Sequence, residues 1–110
     1  MQSPVPSVTV DQVPDGAFLL DVREPEEWVA GRAPDAHHVP MREIPARVDE
    51  VPPDGDVVVV CRVGGRSAQV VAFLRSTGRD NVLNLDGGMR AWADSGRPIV
   101  NDAASPAEIV

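Results

Sequence analysis

The sequence predicts an α/β domain built on a mainly parallel sheet. Three observations carry this. Short apolar runs alternate with helix-forming segments along the chain. One run, Val57 to Val60, is four consecutive valines, the pattern of a strand covered on both faces. That strand leads through a glycine-containing loop straight into the best helical segment of the chain.

Val5 to Val10 is rich in β-branched residues and reads as a short first strand, with a helical turn at Asp11 to Val13 ended by Pro14. Ala17 to Val22 is an apolar run between Asp15-Gly16 and Pro25, and reads as a buried strand. Glu24-Pro25-Glu26-Glu27 opens a short helix ending near Gly31: proline is pre-shaped for a first turn, and acidic residues there complement the helix dipole. Pro34 and Pro40 confine the next stretch to a loop with a short strand near His38-Val39. Ile44, Val48 and Val51 stand at helical spacing and predict a helix over Arg42 to Val51. Pro52-Pro53-Asp54-Gly55 is a turn, and Asp56 to Val60 is the clearest strand. Cys61 to Arg66 is the loop. Ser67 to Thr77 is a helix with a narrow polar face, stopped by Gly78. Asn81 to Leu85 is a strand, and Met89 to Asp94 a short helix with Trp92 buried. Ser105-Pro106-Ala107-Glu108 has the pattern of a cap for one last short helix.

At 110 residues the chain fits one domain, residues 1–110, with a core over about 5–98 and a tail over 99–110. The formal net charge of -7 disfavours nucleic acid and anionic membranes as partners. All ten cations are Arg, whose planar fork suits bidentate contacts to anions. A single Cys excludes an internal disulfide. Met1 to Val10 has no basic segment followed by a long apolar run, so no signal peptide is expected and the cytoplasm is the expected location. The longest purely apolar runs, Val57 to Cys61 and Val70 to Leu74, are far short of a membrane span.

The loop Cys61-Arg62-Val63-Gly64-Gly65-Arg66-Ser67 carries the chemistry. In an open α/β sheet, ligands bind beyond the carboxyl ends of the strands, and Cys61 stands at such an end. Backbone N–H groups in a tight turn before a helix converge on a concavity that favours negative charge. Gly64 and Gly65 permit close backbone approach, and Arg62 and Arg66 add positive charge. The same field stabilises a thiolate. A thiolate among N–H donors can attack an anionic donor and hold the extra sulfur as a persulfide. A lone Cys after a valine run is ordinarily a small buried apolar residue. The Arg-Val-Gly-Gly-Arg sequence and the helix start reverse that reading.

The loop resembles the active-site loop of rhodanese domains, Cys-Arg-x-Gly-x-Arg followed by Ser or Thr. Three further segments resemble family signatures in the same order: Leu20 to Trp28, Gly31 to Pro40, and Leu85 to Trp92 with its Gly87-Gly88 pair. The resemblance covers about residues 5 to 98. It implies a three-layer fold with a parallel five-stranded sheet flanked by helices. It also implies transfer of sulfane sulfur from thiosulfate or a persulfide donor to cyanide or a thiol, including a protein thiol, through a cysteine persulfide. No cofactor is expected. Cys61 is then the nucleophile, and Arg62, Val63, Gly64, Gly65, Arg66 and Ser67 are the substrate-binding loop. The departures are Arg32, Ala33 and Asp35, where the family usually has His, Ile and Gly; they bear on local geometry more than on the reaction. Related cysteine phosphatases place five residues between Cys and Arg. Four separate Cys61 from Arg66, and no Asp in or beside the loop offers a leaving-group acid.

Other residues read as structural. Asp21 and Arg23 are polar anchors at a strand end, Trp28 and Trp92 core anchors, and Glu26, Glu27, Asp49 and Glu50 a solvated surface. Arg32 and Arg90 are weighed as an extension of the positive rim and set aside. His37-His38 lacks the supporting ligands of a metal site.

Overall fold

The computed structural model describes residues 5–103 and 105–110. The part of Met1 to Val10 that precedes Val5 lies outside the described residues. Five parallel strands form one sheet: β1 (Ser7–Val8), β2 (Phe18–Asp21), β3 (His37–His38), β4 (Val57–Val60) and β5 (Val82–Leu85), in the order β1-β5-β4-β2-β3. Three α-helices accompany it: α1 (Pro25–Ala30), α2 (Gly65–Ser76) and α3 (Gly88–Asp94).

The central strand β4 explains the layers. Side chains alternate between faces of a strand. Val57, Val59 and Cys61 enter one core with Val70, Val71 and Leu74 of α2. Val58 and Val60 enter the other with Met89 and Trp92 of α3. All four valines of β4 are buried. The two-period pattern therefore continues past the strand and delivers the Cys61 side chain beneath the start of α2.

Four sequence expectations change. Arg42 to Val51 is not an α-helix but two 3-10 segments, Met41–Ala46 and Val48–Glu50. Pro45 has no N–H to give an α-helical bond and crowds the preceding turn, so the tighter winding takes over. Helix α2 begins at Gly65 rather than Ser67, because Gly64 takes a left-handed conformation (φ 109°) that turns the chain abruptly. Its buried face is narrower than expected, for Ala72 and Phe73 are exposed. Trp28 is half-buried, stacked on His38 at 4.6 Å, rather than in the core.

The fourth change is the tail. Residues 105–110 form no helix; the segment returns along the end of α1. The Glu108 N–H donates to the Ala30 carbonyl at 3.0 Å, and Ile109 is buried with Met89 and Trp92. Gly31 makes room for it: a Cβ there would lie 2.5 Å from the Glu108 carbonyl oxygen. The Arg32 and Val100 backbones pair antiparallel at 2.9 and 2.8 Å.

The buried pair Asp21 and Arg23 ties the carboxyl end of β2 to α1. The Arg23 guanidinium donates to both Asp21 oxygens, at 2.9 and 2.7 Å, and to the Gly31 carbonyl at 2.7 Å. Both side chains are fully buried, and the charges are satisfied within one turn of chain. They are anchors, as expected.

Gly88 is the tightest join between α3 and the rest. Its φ is +58°, and a Cβ would stand 2.5 Å from the Cys61 carbonyl oxygen. Gly88→Ala should lower unfolding stability by about 1–3 kcal/mol through forced overpacking. A reduced urea midpoint at unchanged slope is the expected measurement.

Candidate active site

Cys61 follows β4 directly, and the chain then turns through Arg62, Val63 and Gly64 into α2. The turn places the Gly64 N–H 3.1 Å from Cys61 Sγ. The Ser67 hydroxyl lies 3.3 Å from the same sulfur. Cys61 is 1% exposed. Burial pushes its thiol pKa up, but the Ser67 hydroxyl and the Ser67, Gly64 and Val63 N–H groups together outweigh burial and hold it below the ordinary value.

The loop's carbonyls are directed elsewhere. The Met89 and Arg90 N–H groups, in the first turn of α3, bond the Cys61 and Arg62 carbonyls at 2.8 and 2.9 Å. Carbonyls are thus consumed at one side while N–H groups gather at the sulfur. This polarity can stabilise a thiolate and an approaching anion without any metal. Among the described residues, no group of three or more His, Cys, Asp or Glu could hold a metal ion.

The structure brings the seven sequence-predicted residues together, with different postures. Val63 is exposed at the tip and Gly65 opens α2. Ser67 is fully buried and contributes its hydroxyl as well as its N–H. Arg62 is exposed, and its Nε donates to the Val110 carbonyl at 3.1 Å. Arg66 is engaged by Glu27 of α1 in a two-pronged pair at 2.7 and 2.9 Å. Arg90 also reaches the tail, donating to the Ile109 carbonyl at 2.7 Å.

Three contributors escaped the sequence reading. Glu27 is a partner of Arg66 rather than part of a solvated surface; its hydrogen bond with Arg66 is the main cause of a lowered carboxyl pKa. Asn84 of β5 accepts a short hydrogen bond from Ser67 and donates to the Gly64 carbonyl at 3.2 Å. A polar residue inside the apolar run Val82 to Leu85 was the available signal. The tail carbonyls had none. A separate cleft of about 480 Å³, lined by Val13, Phe18, Trp92 and Arg97 among others, gathers no nucleophile and does not include Cys61.

The family model for the rhodanese-like domain matches residues 8–95. The chain belongs to the rhodanese-like domain family. Among curated relatives, a sulfurtransferase of Allochromatium vinosum is 49% identical over 86 residues, covering 78% of this chain and 80% of that protein. A rhodanese-related protein from Thermoplasma volcanium superposes with a TM-score of 0.80 at 30% identity, over 86% of this chain and 97% of that one. A thiosulfate sulfurtransferase from Pseudomonas aeruginosa gives 0.78 at 28% identity, over 90% of this chain and 21% of that one. These likenesses support sulfur transfer as the general activity of the rhodanese-like domain here.

The Glu27–Arg66 pair yields a pH prediction. A carboxyl group whose folded pKa is depressed adds stability above its unfolded pKa and loses it as pH falls through the folded value. Glu27→Gln should therefore be less stable than wild type at neutral pH, with the difference narrowing as pH falls below the ordinary carboxylate range. Urea midpoints at neutral and at acid pH measure it.

Proposed function

We propose that this single rhodanese-like domain, residues 1–110, is a thiosulfate-type sulfurtransferase. It moves sulfane sulfur from a small anionic donor such as thiosulfate, or from a persulfide, to cyanide or a thiol, through a Cys61 persulfide. One observation carries the reading: Cys61 Sγ lies 3.1 Å from the Gly64 N–H, on the floor of a loop whose neighbouring carbonyls are tied to α3. The family membership and the sulfurtransferase relative support it.

In the first step the Cys61 thiolate attacks the outer sulfur of thiosulfate. The new S–S bond forms as the donor's S–S bond breaks, and the bonding pair leaves with sulfite. Cys61 then carries a persulfide anion, cradled by the N–H groups from Arg62 to Ser67. In the second step cyanide attacks the terminal sulfur and leaves as thiocyanate, returning the thiolate. A thiol acceptor, small or on a protein, takes the sulfur by the same exchange. The exposed Arg62 is suited to recruit the donor anion. Arg66 orients the donor and, braced by Glu27, keeps the first turn of α2 in place. With one Cys in the chain, discharge requires an external acceptor. A reducing compartment such as the cytoplasm suits a thiol that must stay free to load.

Intact mass after thiosulfate treatment tests this. Wild type should gain one sulfur atom that cyanide or dithiothreitol removes, and Cys61→Ser none. Absence of a gain on wild type overturns the mechanism. Loading without turnover to cyanide would make the domain a sulfur carrier that needs a protein acceptor. Phosphate release from an aryl phosphate, lost in Cys61→Ala, would make it a phosphatase.

A further inference from the structure

Ser67 has one hydroxyl hydrogen and two neighbours that want it. Its oxygen lies 3.3 Å from Cys61 Sγ and makes a shorter contact to Asn84 Oδ1. A hydroxyl donates once and accepts twice. Ser67 is fully buried and Asn84 is 5% exposed, so bulk water does not readily make up the deficit.

The orientation of Asn84 is fixed by its other bond. Its Nδ2 donates to the Gly64 carbonyl at 3.2 Å. Turning the amide over would set Oδ1 against that carbonyl with no hydrogen between them. Asn84 therefore presents an acceptor, not a donor, to Ser67. Register holds it there: β5 pairs with β4 on one side, and Asn84 lies opposite Val59, two residues before Cys61.

We propose that Asn84 is a positioning residue for Cys61: it holds the Ser67 hydrogen while the sulfur is a thiol and yields it when the sulfur is a thiolate. In the thiol state the S–H donates to Ser67 Oγ, and the Ser67 O–H donates to Asn84. On ionisation the thiol proton leaves to solvent and the Ser67 O–H rotates to the sulfur. The Asn84 carbonyl then loses its partner. That loss counts against ionisation, so Asn84 moderates the thiolate that the N–H groups favour. A moderated thiolate is also a stronger nucleophile, since nucleophilicity falls with thiol pKa. The facing charged group is Arg66 of α2, itself paired with Glu27 of α1; the sulfur's other partners are main-chain N–H groups.

The inference rests on Cys61 acting as a reactive thiolate, and its test needs no sulfur donor. Iodoacetamide alkylation rate against pH reports the Cys61 pKa in the intact chain, for wild type, Ser67→Ala, Asn84→Ala and the double variant. Asn84→Ala should lower the pKa by about one pH unit, roughly a tenfold gain in thiolate well below it. Ser67→Ala should raise it, and the double variant should match Ser67→Ala. Asn84→Leu, which keeps more of the side-chain volume, carries the same expectation should Asn84→Ala fail to fold. A raised or unchanged pKa in the Asn84 variants overturns the proposal. So does a shift that persists undiminished without Ser67, since a merely structural role would act in both backgrounds. A chain that fails to load sulfur from thiosulfate still gives this readout, so the two proposals fail separately.

Discussion

The approach of Gly88 to the Cys61 and Arg62 carbonyls is the constraint on which the site depends. Each peptide unit carries an N–H and a carbonyl pointing in nearly opposite directions. A loop can surround a sulfur with N–H groups only if its carbonyls are satisfied elsewhere. Here α3 takes two of them, through the Met89 and Arg90 N–H groups. Gly88 permits that contact because any side chain would strike the Cys61 carbonyl. The Gly87-Gly88 pair, which the sequence shows only as part of a family-like signature, is thus part of the electrostatics of Cys61. Gly64 does the complementary work: its left-handed turn sends the chain into α2 two residues early and brings its N–H to the sulfur.

Around this lies a frame that holds the loop's neighbours. Asp21 and Arg23 are buried at the end of β2, and Arg23 reaches the Gly31 carbonyl. That fixes the end of α1. Helix α1 in turn supplies Glu27 to Arg66. Gly31 admits the tail, whose carbonyls meet Arg62 and Arg90. A charged pair with no chemical role at β2 is therefore connected, bond by bond, to the rim of the site at β4. Breaking such a buried pair leaves an uncompensated charge, so its cost would be felt as lost geometry at the loop as well as lost stability.

The sheet was legible because each strand has a local signal. The four valines announce a doubly covered strand, and the alternation that splits them between two cores also sets the direction of Cys61. The loop was legible because Cys, Arg, Gly and a helix start are contiguous. What failed was non-local or competitive. Apolar spacing over Arg42 to Val51 suggested an α-helix, but Pro45 cannot make its bond. Glu27 looked like surface because its partner is 39 residues away. The tail's placement depends on a gap at Gly31 that only the folded backbone creates. Asn84 was visible as a polar residue in a strand, yet its meaning came from parallel pairing with β4, which composition cannot supply.

The charge pattern also changes meaning once these contacts are known. The sequence suggested an anion site built on Arg62 and Arg66 within a chain of net charge -7. Arg66 is compensated by Glu27, while Arg62 and Arg90 keep their charge and donate to main-chain oxygens of Val110 and Ile109. The field at the sulfur therefore comes mainly from fixed peptide dipoles and one hydroxyl. Dipoles in a buried loop are little screened by salt, whereas exposed guanidinium groups are screened within a Debye length. Under the proposed mechanism, recruitment of an anion and stabilisation of the sulfur are thus separable: the first falls to exposed Arg62, the second to the N–H cradle and Ser67, moderated by Asn84. That division shows how an acidic chain can hold a thiol below its ordinary pKa without a surplus of positive charge beside it.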